Sequence, residues 1–249
     1  MADTLYLSLW YPNLRLEALP DKLAAVLGAF AAHGGEAKVY SATVWPVSWN
    51  EAPVFERIYG RMAGLVEPGQ VPGADPRLAV EEATELLHED YAYEFQIGWN
   101  LWELELGPGG ISLAKNENAG PSTRSPAAAG GLAQDDNPKK DAQNDTVFGR
   151  WARGPKLVRV TGYGPLFDEG AYEQDGHIRI DFGSDAPFLE EDADLDVAGA
   201  RHVEENVRQL VELTAGVEKA SGATARLLWS ELGESLAKRL AARLQRFSS

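Results

Sequence analysis

AGARHVEENVRQLVELTAGVEKASGATARLLWSELGESLAKRLAARLQRF, residues 198–247, reads as helix, strand, helix. Val203, Val207, Leu210 and Val211 fall at helical spacing and mark one face. Ser221-Gly222 is a stop signal. Ala223 to Trp229 is short, apolar and flanked by a turn, which suits a strand. Leu232, Leu236, Leu240, Leu244 and Phe247 form a second helical stripe. Two amphipathic helices joined by an apolar strand need a sheet to bury their faces, and the rest of the chain must supply it.

Immediately upstream runs Glu190-Glu191-Asp192-Ala193-Asp194-Leu195-Asp196. Alternate aspartates suit Ca²⁺, but the EF-hand spacing fails. Counted from Asp192, the sixth position is Val197 where glycine belongs, and the twelfth is Val203 where glutamate belongs. The run reads instead as a helix N-terminus, where carboxylates accept from free N–H groups and oppose the positive end of the helix dipole. His177 to Phe182 and Leu157 to Tyr163 alternate as strands.

The stretch before them changes character. GPSTRSPAAAGGLAQDDNPKKDAQND, residues 120–145, holds no aromatic residue and almost no large aliphatic one. It buries too little apolar area to offset its ordering entropy, so 107–146 is expected to be a flexible linker or loop. It divides an N-terminal half, 1–106, from a C-terminal half, 147–249; the two stand as separate lobes or share one core.

The N-terminal half reads as strand at Thr4 to Tyr11, helix at Leu19 to Phe30, strand at Lys38 to Val47 and a weaker strand at Val54 to Tyr59. Asp75-Pro76 starts a helix, an N-cap residue followed by proline at the first helical position, with Ala79, Ala83, Leu86 and Leu87 facing inward. Alternation at Tyr93 to Trp99 and again at Trp102 to Leu106 gives strands, with Gly98 to Asn100 either a bulge or a turn. The fold class is α+β: a mostly antiparallel or mixed sheet of about seven or eight strands under about four helices. The order βαββαβ in the first half resembles a ferredoxin-like unit in its pattern of elements.

The formal net charge of -15 argues against nucleic acid and against anionic membranes as partners. It favours solubility and draws a basic protein at long range. With no cysteine there is no disulfide, thiolate metal site or thiol nucleophile. The start Met-Ala-Asp lacks a signal-peptide pattern, and Leu23 to Ala32 is too short to span a bilayer, so a cytoplasmic location is expected.

Candidate chemistry is sparse. Gly162-Tyr163-Gly164-Pro165 lacks the further glycine and the helix of a phosphate loop, and reads as a turn. No histidine pair among His33, His88, His177 and His202 has metalloprotease spacing. Ser184 follows Gly183, but Ala186 stands where a nucleophile elbow needs its second glycine. Asp181 and Asp185 can form a carboxylate pair, with His177 nearby in sequence, although aspartates around a Gly-Ser turn also serve as turn formers. Trp99, Trp102 and Tyr163 are candidate binding aromatics, against core packing as the ordinary role of such rings. No metal site and no cofactor are expected. Lys238, Arg239, Arg243 and Arg246 reverse the local sign of charge in the last helix. The sequence thus points to a non-enzymatic protein-protein interaction module, of the immunity-like kind that masks a basic protein. The alternative is a small hydrolase using the Asp181–Asp185 pair.

Overall fold

Alternation of leucine with polar or aromatic residues makes Thr4–Trp10 the first strand, β1: Leu5, Leu7 and Leu9 are fully buried while Tyr6 and Trp10 stay partly exposed. Each fully buried leucine of this kind contributes roughly 1.5–3 kcal/mol. The computed structural model describes residues 3–60, 73–105, 150–189, 195–231 and Arg239. Among them, β1 is followed by α1 (Leu19–Ala32), β2 (Gly35–Pro46), β3 (Phe55–Ile58), α2 (Pro76–Ala83), β4 (Tyr91–Glu105) and β5 (Arg150–Tyr163). Then come α3 (Ala171–Gln174), β6 (Ile178–Ser184), α4 (Ala186–Leu189), α5 (Val197–Ser221) and β7 (Ala225–Ser230). The chain is a mixed α/β fold, whose described residues form a sheet of seven strands in the order β3-β2-β4-β5-β6-β1-β7. The pairings β3–β2, β2–β4, β5–β6, β6–β1 and β1–β7 are all antiparallel.

Strands from both sides of the 107–146 stretch mix in this sheet, so the chain order of elements predicts only some of their neighbours. In a ferredoxin-like unit the strands of one βαββαβ run lie together. Here β1 sits between β6 and β7, and three strands separate it from β2. That is not the ferredoxin-like arrangement expected of the first half. The pattern of hydrophobic residues specifies the type of each element; pairing depends on which apolar faces meet in space.

Met1–Glu103 and Arg153–Ser249 make up one compact unit and Leu104–Ala152 a second. Of the second, the described residues are the end of β4 at Leu104 and Glu105 and the start of β5 at Arg150, Trp151 and Ala152. In the first unit, α1 and α5 pack together, and α1 and α2 pack on β2. Trp99 is the largest fully buried side chain, edge-on to Phe30 at 6.1 Å and 5.3 Å and 5.8 Å from Phe182 and Phe188.

The helix ends follow local chemistry. Asp75 accepts from the N–H groups of Arg77 and Leu78 and caps α2. Asp196 accepts from Gly199 N–H at 2.7 Å and caps α5. Gly222, with φ of 72°, closes α5 in the left-handed conformation that glycine adopts without steric cost. Other expectations differ. The buried stripe of α5 steps through Val203, Val207, Leu210, Thr214, Val217 and Ser221, and Val211 falls off its edge, 58% exposed. Helix α2 stops at Thr84, whose hydroxyl bonds back to Val80 O at 2.7 Å, leaving Leu86 beyond it and exposed. Gly98 to Asn100 makes no turn: β4 runs through it, and the register with β2 shifts beside it, between Ile97 opposite Val39 and Trp99 opposite Gly35. Strand β5 begins at Arg150, ahead of Leu157. The second stripe of the C-terminal stretch, the 107–146 stretch and most of the acidic run lie outside the described residues.

Candidate functional site

The strand period of two places every residue between the buried leucines on the opposite face of the sheet. On that face the antiparallel register builds two rows across four strands. Arg159 is opposite Asp181, Asp181 opposite Tyr6, and Tyr6 opposite Trp229. In the next row Thr161 is opposite Arg179, Arg179 opposite Ser8, and Ser8 opposite Leu227.

Charges and rings in these rows hold one another in place. Asp181 accepts from Arg159 Nη1 at 3.2 Å and, through its other oxygen, from Gly183 N–H at 2.7 Å. Arg179 donates to Asp175 at 2.5 Å, and its guanidinium lies 5.4 Å from the Tyr6 ring and 5.5 Å from the Tyr163 ring. A guanidinium over aromatic faces gains from the ring quadrupole. Tyr6 stacks on Trp229 at 4.6 Å and donates to Glu231 at 2.8 Å. The Trp229 indole donates to Ser8 Oγ at 3.0 Å. Burial, followed by the bond to Glu231, pushes the Tyr6 hydroxyl up to about 12. At the end of the first row Asp3, Thr4, Tyr6, Arg159, Asp181, Gly183 and Ser184 line a cleft of about 350 Å³.

Glu94, on β4, carries a carboxyl raised above its ordinary value. Burial is the main cause; Arg159 opposes it, Asp181 adds to it, and Arg179 opposes it again. His177 is shifted the other way: burial lowers it, against the raising effect of Glu173. The two give opposite pH dependences. The folded state holds the Glu94 proton more tightly than the unfolded chain does. Its stabilisation is therefore full below the unfolded value of 4.5 and is lost as pH rises through the folded value. His177 resists protonation in the fold, so stability is full above 6.5 and is lost as pH falls. Urea unfolding across pH is expected to show Glu94→Gln removing part of the loss on the rising side and His177→Gln part of the loss on the acid side. Profiles parallel to wild type would count against both placements.

The residues nominated from sequence are dispersed. Asp185 is 1% exposed; it accepts from Asp3 N–H at 2.9 Å and forms an ion pair with Arg239 at 3.0 Å. It joins the turn before α4 to the start of β1 and to Arg239. The carboxylate oxygens of Asp181 and Asp185 thus go to different partners. The Nδ1 atom of His177 accepts from Tyr11 N–H at 3.1 Å, and its ring stacks on Tyr172 at 4.0 Å. Trp99 lies in the core, with its indole donating to His33 O at 2.9 Å. Trp102 stacks on His202 at 3.9 Å and donates to Glu205 at 3.0 Å. Tyr163 is fully buried in a second aromatic cluster with Ala92 and Phe167, flanked by Trp45, Trp49, Ala171 and Tyr172. These three rings have separate surroundings and form no common platform.

Tyr6, Glu94, Arg159, Arg179 and Trp229 were not singled out from sequence. The signal that finds them is parity: they occupy the off-core positions of TLYLSLW, HIRIDF and their neighbours. Among the described residues no group of three or more histidines and carboxylates is placed to hold a metal ion, and no helix is long and apolar enough to cross a membrane. Rings and guanidiniums of this kind are the residue types over-represented where proteins meet proteins. Compared with protein families, curated proteins and solved structures, the chain matches none.

Proposed function

We propose that this chain is a non-enzymatic protein-binding module of the cytoplasm, immunity-like in that it masks a basic polypeptide, and that it binds through the face of the sheet opposite α1 and α5. The observation that carries the reading is the pair of rows centred on Tyr6, Asp181, Arg179 and Trp229. They present partly exposed rings and fixed charges, the composition of an interface centre. The net charge of -15 supports a basic partner and opposes nucleic acid. The mixing of strands from both halves in one sheet supports a core shared between them. The hydrolase alternative has less support, since the oxygens of Asp181 and Asp185 are engaged with separate partners.

Affinity capture from the native lysate tests this. Wild type is compared with the Tyr6→Ala, Trp229→Ala double variant and with Glu212→Ala, on the exposed side of α5. The expected result is a basic partner captured by wild type and by Glu212→Ala, lost with the double variant and weakened by salt. Micromolar binding to random duplex DNA, or a partner retained by the double variant, would overturn the proposal.

A further inference from the structure

We infer that the cleft beside Tyr6 seats an arginine side chain of the basic partner, which takes the place of Arg159 on Asp181. This rests on the protein-binding reading and specifies the contact at its centre.

The first argument is charge. Asp181 lines the cleft and Glu231 stands at the Tyr6 hydroxyl, with Arg159 as the basic residue among those described in the lining. Arg179 is matched by Asp175. An anionic ligand would meet carboxylates on entry, whereas a cation would be drawn in by them and by the net charge of the chain.

The second argument is exchangeability. The Arg159 side chain is 50% exposed and Asp181 19%, with one nitrogen at 3.2 Å. A half-exposed pair of this kind has little net strength. An incoming guanidinium can replace it on the same carboxylate, and the displaced Arg159 then extends into water.

The third argument is an internal precedent. On this same face the fold already holds a guanidinium, Arg179, over the Tyr6 and Tyr163 rings and against a carboxylate. The cleft offers a second one the Asp181 carboxylate and the edge of the Tyr6 ring, which already stacks on Trp229 and lies under Arg179. Arginine suits such a place better than lysine, because its planar fork pairs with a carboxylate in two-pronged fashion.

The test is a titration of the full chain with short oligo-arginine, oligo-lysine and oligo-glutamate peptides, followed by the indole N–H resonance of Trp229. Oligo-arginine is expected to bind more tightly than oligo-lysine, oligo-glutamate not at all, and added salt to weaken the binding. Asp181→Asn keeps an acceptor for Gly183 N–H and is expected to weaken oligo-arginine binding about tenfold. Arg159→Ala removes the competitor and is expected to tighten it several-fold. An anion site would respond to Arg159→Ala in the opposite direction, so weaker binding by this variant overturns the inference. Unchanged binding by Asp181→Asn does the same. Loss of the lysate partner with the Tyr6, Trp229 double variant alongside an unmoved Trp229 resonance would refute this cleft while leaving the binding face intact. Tight oligo-arginine binding at Trp229 together with partner capture insensitive to that double variant would support the cleft and refute the wider interface.

Discussion

Trp99→Ala is expected to lower the unfolding free energy by about 3–5 kcal/mol. Trp99 is completely buried, and its ring meets Phe30 of α1, Phe182 of β6 and Phe188 of α4. Truncation removes those contacts together and leaves a void that no single neighbour can fill. The indole N–H also leaves His33 O, the carbonyl just past the end of α1, so the helix loses a partner where its last carbonyls are open. Urea unfolding followed by far-UV circular dichroism measures the effect, with the slope checked for unchanged exposure on unfolding. A loss below about 1 kcal/mol would place the core elsewhere. The same variant separates structure from function: Trp99 lies on the face opposite Tyr6, so variant protein kept well below its midpoint is expected to bind oligo-arginine as wild type does.

What could be read from sequence divides by range. Asp75-Pro76, Asp196 and Ser221-Gly222 mark helix ends because capping is a contact within a few residues. The alternation of Leu5, Leu7 and Leu9 marks a strand because its period is local. The stop of α2 was not legible, because it ends at Thr84 with neither glycine nor proline to mark it. The short helices α3 and α4 have four residues each, too few to show a period. The site was less legible still. Asp181, Asp185 and His177 are near one another in sequence, yet strand parity sends Asp181 to the Tyr6 face while burial and Arg239 hold Asp185. The row Arg159–Asp181–Tyr6–Trp229 joins strands far apart in the chain, and only register makes them neighbours. Parity alone would have nominated Tyr6 and Arg179, since an aromatic or charged residue between core leucines or isoleucines must face outward.

Asn206→Ala is expected to cost about 2–4 kcal/mol, a large effect for so small a side chain. Asn206 is fully buried on the face of α5 that also carries Val203, Val207 and Leu210. Its Oδ1 accepts from Trp102 N–H at 2.9 Å, and its Nδ2 donates to Trp102 O and Pro187 O, each at 2.8 Å. One amide therefore ties α5 both to β4 and to α4. Alanine leaves three backbone groups to find other partners, and an unsatisfied buried group costs more than a made bond returns. Asn206→Asp sharpens the test. A carboxylate keeps the bond from Trp102 N–H but faces the two carbonyls with no hydrogen to give. The folded state then favours the protonated acid, so its value rises above that in the unfolded chain. Stability of this variant relative to wild type is highest below the unfolded value of about 3.9 and falls as pH rises through the folded one. Urea midpoints of wild type and both variants, taken in acid and at neutral pH, decide the matter. An aspartate variant that gains on wild type with rising pH would mean that the amide does not donate to these carbonyls.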